Sequence, residues 1–248
     1  MNEHLLEVRS VSKRFGGLRA VDGISIQVST RDIYGLIGPN GAGKSTLFNV
    51  LAGVVRPTSG TVLYKSKEVS NLPAFKKCRL GIGRTFQAAQ SFSHHTVRDN
   101  LLAASFAPAQ SLGSWIRLRA TPDEDRRMGH LLERTGLADR LDDFPSDLNN
   151  LELQKLSIAM ALVNQPDLLL LDEPSGGLVE AEVAELANFL KEIHASGVCI
   201  VIIDHKMSLI MALCNVVTVM AAGKWVATGT PADVLANPSV KQVYLGNG

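Results

Sequence analysis

The stretch GPNGAGKST, residues 38–46, decides how this chain must fold. It follows the apolar run IYGLI (33–37) and runs into the helical pattern KSTLFNVLAG (44–53), so a buried strand turns through glycines into a helix. Gly38, Gly43, Lys44 and Ser45 satisfy the spacing G-x-x-x-x-G-K-[ST]. Each residue type has a physical reason. Glycines let backbone N–H groups curl around phosphate oxygens, and the helix N-terminus adds positive potential. The lysine reaches the β and γ phosphates, and the serine hydroxyl can ligate Mg²⁺. A plain glycine turn requires neither Lys nor Ser at those offsets, so Gly38, Pro39, Asn40, Gly41, Ala42, Gly43, Lys44, Ser45 and Thr46 form the candidate phosphate-binding set.

Downstream, LLLLDEP (168–174) places Asp172 and Glu173 directly after four apolar residues, where a central parallel strand reaches its C-terminal end. Beside a phosphate loop, Asp172 is placed to hold Mg²⁺ through water, and Glu173 to polarise the attacking water of phosphoryl transfer. From 168 the rhythm is strand LLLLDE, helix AEVAELANFLKEIHASG, strand VCIVIID, helix MSLIMALC and strand NVVTVMAAG, a parallel α/β layout. The N-terminal third alternates apolar stretches with turns, in LLEVRSVSKRFGG and ISIQV, with TVLY (61–64) returning as a strand, and predicts antiparallel strands. Between about 88 and 165 the patterns are helical, at TVRDNLLAASF and DEDRRMGHLLERTGL, around a loop containing Pro108, Gly113 and Pro122. One large domain over 1–248 is therefore expected, with its core formed by about 1–87 and 166–248 and a helical subdomain over about 88–165.

Composition narrows the class. Apolar residues make up 46%, charged residues 20%, and the formal net charge is +1, which gives no sign of a nucleic-acid-binding surface. The apolar runs VCIVII and VVTVMAA are far shorter than the roughly 20 residues that cross a bilayer, and MNEHLLEV has no basic-then-apolar leader, so a cytosolic chain is expected. Cys78, Cys199 and Cys214 lack metal-binding or disulfide spacing and read as core residues, while His94 and His95 read as solvated.

The chain resembles, over essentially all 248 residues, the nucleotide-binding subunits of ABC transporters. GIGRTFQ (81–87), IIDHKM (202–207) and KRFGGLRAVDGIS (13–25) carry the match beyond the phosphate loop. The resemblance implies an α/β fold with a P-loop NTPase (RecA-like) core, an antiparallel β subdomain and an inserted α-helical subdomain, and hydrolysis of ATP with Mg²⁺. It further implies that Gln87 ligates Mg²⁺ and links the ATP site to a membrane subunit, that His205 contacts the γ-phosphate, and that Phe15 stacks on adenine. Without the family, Gln87 reads as a polar surface residue, His205 as a loop residue and Phe15 as core.

RTFQ followed by TVRDNLLAA, the insertion with GSWIRLR, and the ending ATGTPADVLANPSVKQVYLG resemble the ATPase subunits of branched-chain amino-acid importers, a pattern shared by urea and amide importers. That implies two membrane permeases, a second ATP-binding subunit (a heterodimer, or a homodimer in its place), and a solute-binding protein outside. The chain itself would lie peripherally on the cytoplasmic side of the membrane.

One stretch departs from the family. In SDLNNLELQKLSIAMAL (146–162), read as an amphipathic helix, the positions of the usual LSGGQ or LSYGQ signature hold Leu148, Asn149, Asn150, Leu151 and Glu152. N-x-x-E keeps the capping box of S-x-x-Q, so the helix is expected to survive, with stability changing by only about 1 kcal/mol on restoring the usual residues. A serine donor, a glycine that permits close backbone approach and an uncharged helix start are lost, which predicts a weakened anion site against the partner's ATP. Val179 also stands where the family usually has Asp or Asn. Two activities are therefore in contention: an ATP-hydrolysing importer subunit with one good site, and a nucleotide-gated regulatory subunit with little turnover.

Overall fold

The computed structural model describes residues 4–85, 93–106 and 122–245, and builds them around two sheets. Strands β1 (His4–Phe15) and β2 (Leu18–Ser29) form a long antiparallel hairpin. With β4 (Ser59–Tyr64) and β5 (Lys67–Glu68) they make a sheet of order β2-β1-β4-β5. Val21, Ile24, Ile26 and Val28 are buried along β2 as a half-covered strand requires.

The second sheet has the order β10-β9-β3-β8-β7-β6. Its strands β3 (Ile33–Ile37), β6 (Ile82–Arg84), β7 (Leu168–Asp172), β8 (Cys199–Ile203) and β9 (Val216–Ala221) run parallel, and β10 (Lys224–Gly229) closes one edge antiparallel to β9. Every residue of β3 and β8 is buried, because helices or the other sheet cover both faces. The short β6 and the returning β10 are not anticipated from the sequence; three residues and a two-residue turn carry too little periodicity to read.

Helix α1 (Lys44–Ala52) lies between the two sheets, with Leu47, Phe48, Val50 and Leu51 buried against Val8, Val62 and Val201. It ends at Gly53, φ 78°, whose N–H returns to the carbonyls of Asn49 and Val50. Helix α2 (Ala74–Arg79) follows, and its fully buried Lys77 donates from Nζ to Val50 O at 2.9 Å and Leu51 O at 3.0 Å, closing the same helix end.

The opposite face of the parallel sheet carries the second core. Helices α3 (Val97–Phe106), α4 (Pro122–Thr135) and α5 (Asn150–Leu162) come between β6 and β7, and α6 (Glu180–Ala195) and α7 (Met207–Leu213) follow β7 and β8. Helices α8 (Pro231–Ala236) and α9 (Pro238–Leu245) end the described chain.

Several local expectations change. Pro122 opens α4 instead of lying in the loop, since proline suits the first helical position; Pro108 and Gly113 fall outside the described residues. α5 begins at Asn150, after a single 3₁₀ turn at Pro145–Asp147, and is not simply amphipathic: Leu151, Leu156, Ile158, Ala159 and Leu162 bury more than one side. Cys199 and Cys214 are core residues, their thiols pushed up to about 12 by burial, whereas Cys78 is only half-buried. His94 and His95 are exposed. Among the described residues no helix is long and apolar enough to cross a membrane.

Candidate functional site

The parallel register brings three strand ends to one edge: Leu36 and Asp172 both pair with Ile203. The loop between β3 and α1 leaves there through Gly38, Gly41 and Gly43, all at positive φ (149°, 77° and 96°). Glycine is obligatory at two of these. A Cβ on Gly38 would stand 2.0 Å from Met220 O, and one on Gly43 2.2 Å from Ala20 O. Gly43 is also the residue before α1, so no side chain caps that helix, and its first-turn amides have no intrahelical acceptor. Lys44 folds back over the loop, Nζ donating to Gly38 O at 2.7 Å and Pro39 O at 3.0 Å. Burial holds its pKa below the usual lysine value, with the nearby charge of Glu173 acting in the other direction. Ser45 stands exposed beside it, and Pro39, Asn40, Ala42 and Thr46 complete the loop.

Asp172 and Glu173 leave β7 in different directions. Asp172 accepts from Arg84 Nη2 at 3.1 Å, and Arg84 Nη1 donates to Asn49 Oδ1 on α1 at 2.8 Å while its guanidinium lies 5.4 Å from the centre of the Phe48 ring. Burial raises the Asp172 carboxyl above its ordinary value even against the Arg84 charge. Glu173 sits at φ 50°, a sparsely populated conformation for a residue with a side chain, and its N–H donates to Ile203 O at 2.8 Å. Its Oε1 lies 2.8 Å from His205 Nε2. The structure thus brings Glu173 and His205 into direct contact from two adjacent strand ends, and both stay near half-exposed, open to a ligand.

Phe15 closes the β1–β2 hairpin, whose second strand carries Ala20 over Gly43. It is 49% exposed, so it is not a core residue, and Lys13 Nζ lies 5.0 Å from its ring centre. Gln87 lies outside the described residues.

Sequence reasoning passed over Arg84, Thr85, Ser175 and Asp204. Thr85 Oγ1 accepts from the Asp172 N–H at 3.3 Å. Buried Asp204 accepts from Ser175 N at 3.0 Å, Ser175 Oγ at 2.6 Å and Lys206 N at 2.8 Å, tying the segment after Glu173 to the segment of His205. A signal existed for Asp204 alone: like Asp172, it is a carboxylate directly after a wholly apolar strand.

The first turn of α5 closes on itself. Glu152 N donates to Asn149 Oδ1 at 2.9 Å and Asn149 N to Glu152 Oε2 at 2.9 Å, the expected capping box, and Arg140 Nε lies 3.4 Å from Glu152 Oε1. Leu151 overturns the expectation of near-constant stability. It is only 7% exposed and packs into the helical core, so a glycine there leaves a cavity, and its side chain does not stand in the way of a ligand at the helix start. Val179, 64% exposed, precedes α6 and has no side-chain acceptor to cap it; Glu182 Oε2 takes the Val179 N–H at 2.9 Å.

Residues 21–176 match the family described as "ABC transporter", and residues 226–248 the family described as "Branched-chain amino acid ATP-binding cassette transporter". The high-affinity branched-chain amino acid transport ATP-binding protein LivG of Salmonella typhimurium is 37% identical over 254 residues, covering 99% of each chain. The lipopolysaccharide export system ATP-binding protein LptB of Escherichia coli is 33% identical over 241 residues, covering 97% of each. Among solved structures, the ADP conformation of MJ1267, an ATP-binding cassette of an ABC transporter, superposes with a TM-score of 0.91 at 30% identity, over 99% of this chain and 100% of that one. With a phosphate loop, paired strand-end carboxylates and a histidine on one sheet edge, and with these relatives along its whole length, the chain belongs to the ABC transporter family as an ATP-binding subunit.

Proposed function

We propose that this ATPase powers import of a branched-chain amino acid, that its own phosphate loop, Asp172, Glu173 and His205 form a competent ATP site, and that its altered signature serves a partner's ATP poorly. The Glu173–His205 contact of 2.8 Å carries the reading of a competent ATP site. The carboxylate is there to accept a proton from the attacking water, and the imidazole holds it in place while facing the γ-phosphate. Lys44 exchanges its two loop carbonyls for β and γ phosphate oxygens, and the free amides of α1 take the rest. An exposed hydroxyl at Ser45 and one carboxylate at Asp172 suit Mg²⁺, which keeps waters and phosphate oxygens for its remaining positions; Gln87 is the third ligand the resemblance implies. When bound, Mg²⁺ neutralises phosphate charge. Phe15, exposed on the hairpin whose second strand carries Ala20 to Gly43, is the residue proposed to stack on adenine.

The import reading draws on the 37% identity to a branched-chain amino-acid transport protein and on the match at 226–248. The proposal includes a seat for a permease. An apolar cleft of about 490 Å³ lies between the α1–α2 side and the inserted helices, lined by Val54, Phe75, Ile82, Ala103, Met160 and Ala161. Phe75 and Val54 are exposed at it, and Ile82, Gly83 and Arg84 of β6 line it. In such a complex the chain lies against the cytoplasmic side of the membrane, with two permeases, a second ATP-binding subunit and, indirectly, a solute-binding protein.

Steady-state ATPase of the purified chain, alone and with a co-purified second ATP-binding subunit, tests the proposal. Little turnover alone and clear turnover with the partner is expected. Equal rates in both would overturn the impaired signature, and silence in both would favour the nucleotide-gated regulatory subunit.

A further inference from the structure

Three successive carbonyls of the loop after Glu173 each accept a hydrogen bond from a side chain of another segment. Gln154 Nε2 donates to Gly176 O at 3.4 Å, Asn150 Nδ2 donates to Gly177 O at 3.2 Å, and Lys206 Nζ donates to Leu178 O. Asn150 and Gln154 are four residues apart on α5 and so share a face of the helix that faces this loop. Lys206 directly follows His205.

Within itself the loop is held only by Gly176 N to Glu173 O and Leu178 N to Ser175 O, both 3.1 Å. Two adjacent glycines make such a segment conformationally free unless it is braced from outside. Glu173, at its start, is in a left-handed conformation that persists only where the surroundings over-determine it.

We propose that Asn150, Gln154 and Lys206 are positioning residues for Glu173, clamping loop 176–178 between the first turns of α5 and the His205 segment. The altered signature turn then has a role in its own chain. Asn149 and Glu152 are consumed in the cap, while Asn150, on the next helical position, steadies this chain's own catalytic loop in place of reading another subunit's phosphate. The proposal rests on the assignment of Glu173 as catalytic base made above.

Two measurements on the full chain test it. Hydrogen exchange of the Gly176 and Leu178 amides is expected to quicken roughly fivefold in Asn150→Ala and in Lys206→Met, the worth of one hydrogen bond, and to return in Lys206→Arg. Single-turnover hydrolysis, with the chain in excess over MgATP so that a slow site is still read, is expected to fall roughly tenfold or more in the first two variants. ATP affinity and melting temperature should hold. Unchanged exchange overturns the clamp, and faster exchange with unchanged hydrolysis overturns its positioning role. Glu173→Gln run alongside separates the two assignments: wild-type hydrolysis there removes Glu173 as the base, while the exchange result still decides the clamp.

Discussion

Two helix starts in this molecule face opposite fates. α1 begins after a glycine, has no acidic residue in its first turn and leaves its leading amides without a side-chain acceptor. α5 begins after an asparagine, has Glu152 in its first turn and spends the box on itself, with Arg140 beside the carboxylate. A helix N-terminus is an anion site only while its donors are unspent and its potential is not cancelled. The cap is shared with the usual S-x-x-Q start, so the contrast lies in charge: α5 carries Glu152 at its positive end, and α1 carries no acid there.

The comparison breaks most severely at Leu151. Leu151→Gly is expected to cost about 3–6 kcal/mol, combining a core cavity with the helix penalty of glycine, and chemical denaturation reads it directly. A loss under about 1 kcal/mol would mean that the side chain is not packed. Restoring the usual signature wholesale therefore confounds activity with stability.

On the α1 side, Glu173→Gln should lower hydrolysis by roughly 10²–10⁴-fold while MgATP binding survives, and gel filtration with MgATP should show a trapped dimer. Near-normal turnover would shift the base elsewhere.

The far end of α1 is held by Lys77, whose ammonium burial pushes down to about 8. A folded-state pKa below the ordinary lysine value means that the fold favours the neutral amine. Its contribution is complete above about pH 10.5, shrinks as pH falls and is gone below about pH 8, a span of roughly 3 kcal/mol. Denaturation midpoints of wild type and Lys77→Met should diverge over that window; parallel curves would show that Lys77 titrates normally.

Lys44→Ala removes the charge proposed to meet the β and γ phosphates and should weaken MgATP binding roughly 10- to 100-fold in a fluorescent-nucleotide titration. Unchanged affinity would contradict the phosphate site. The smallest effect sharpens the closed end. Asn149→Ser with Glu152→Gln, leaving Leu151 in the core and Asn150 on its loop, should raise ATPase of the assembled complex roughly fivefold at a stability cost near 1 kcal/mol. No gain would mean that the turn works as it stands.

The phosphate loop and the strand–helix rhythm after 168 are legible because their determinants are local: glycine where φ is positive, and apolar runs at fixed periods. The capping box is legible for the same reason, since Asn149 and Glu152 meet at a spacing of three residues. β6 escaped because a three-residue edge strand is defined by its pairing with β7, and Phe15 stayed ambiguous because exposure depends on what covers it.

By itself, then, the sequence determined which residues could cradle a phosphate, where the two carboxylates leave their strand and how α5 caps. Only the tertiary structure decided that Arg84 grips Asp172 from 88 residues away, that Leu151 points into the core and that Asn150 reaches across 27 residues to Gly177. The reason is physical. Local conformation follows from backbone sterics and short-range hydrogen bonds, whereas the partner of a long side chain is set by which strand ends and helix turns the packed sheets bring within about 3 Å.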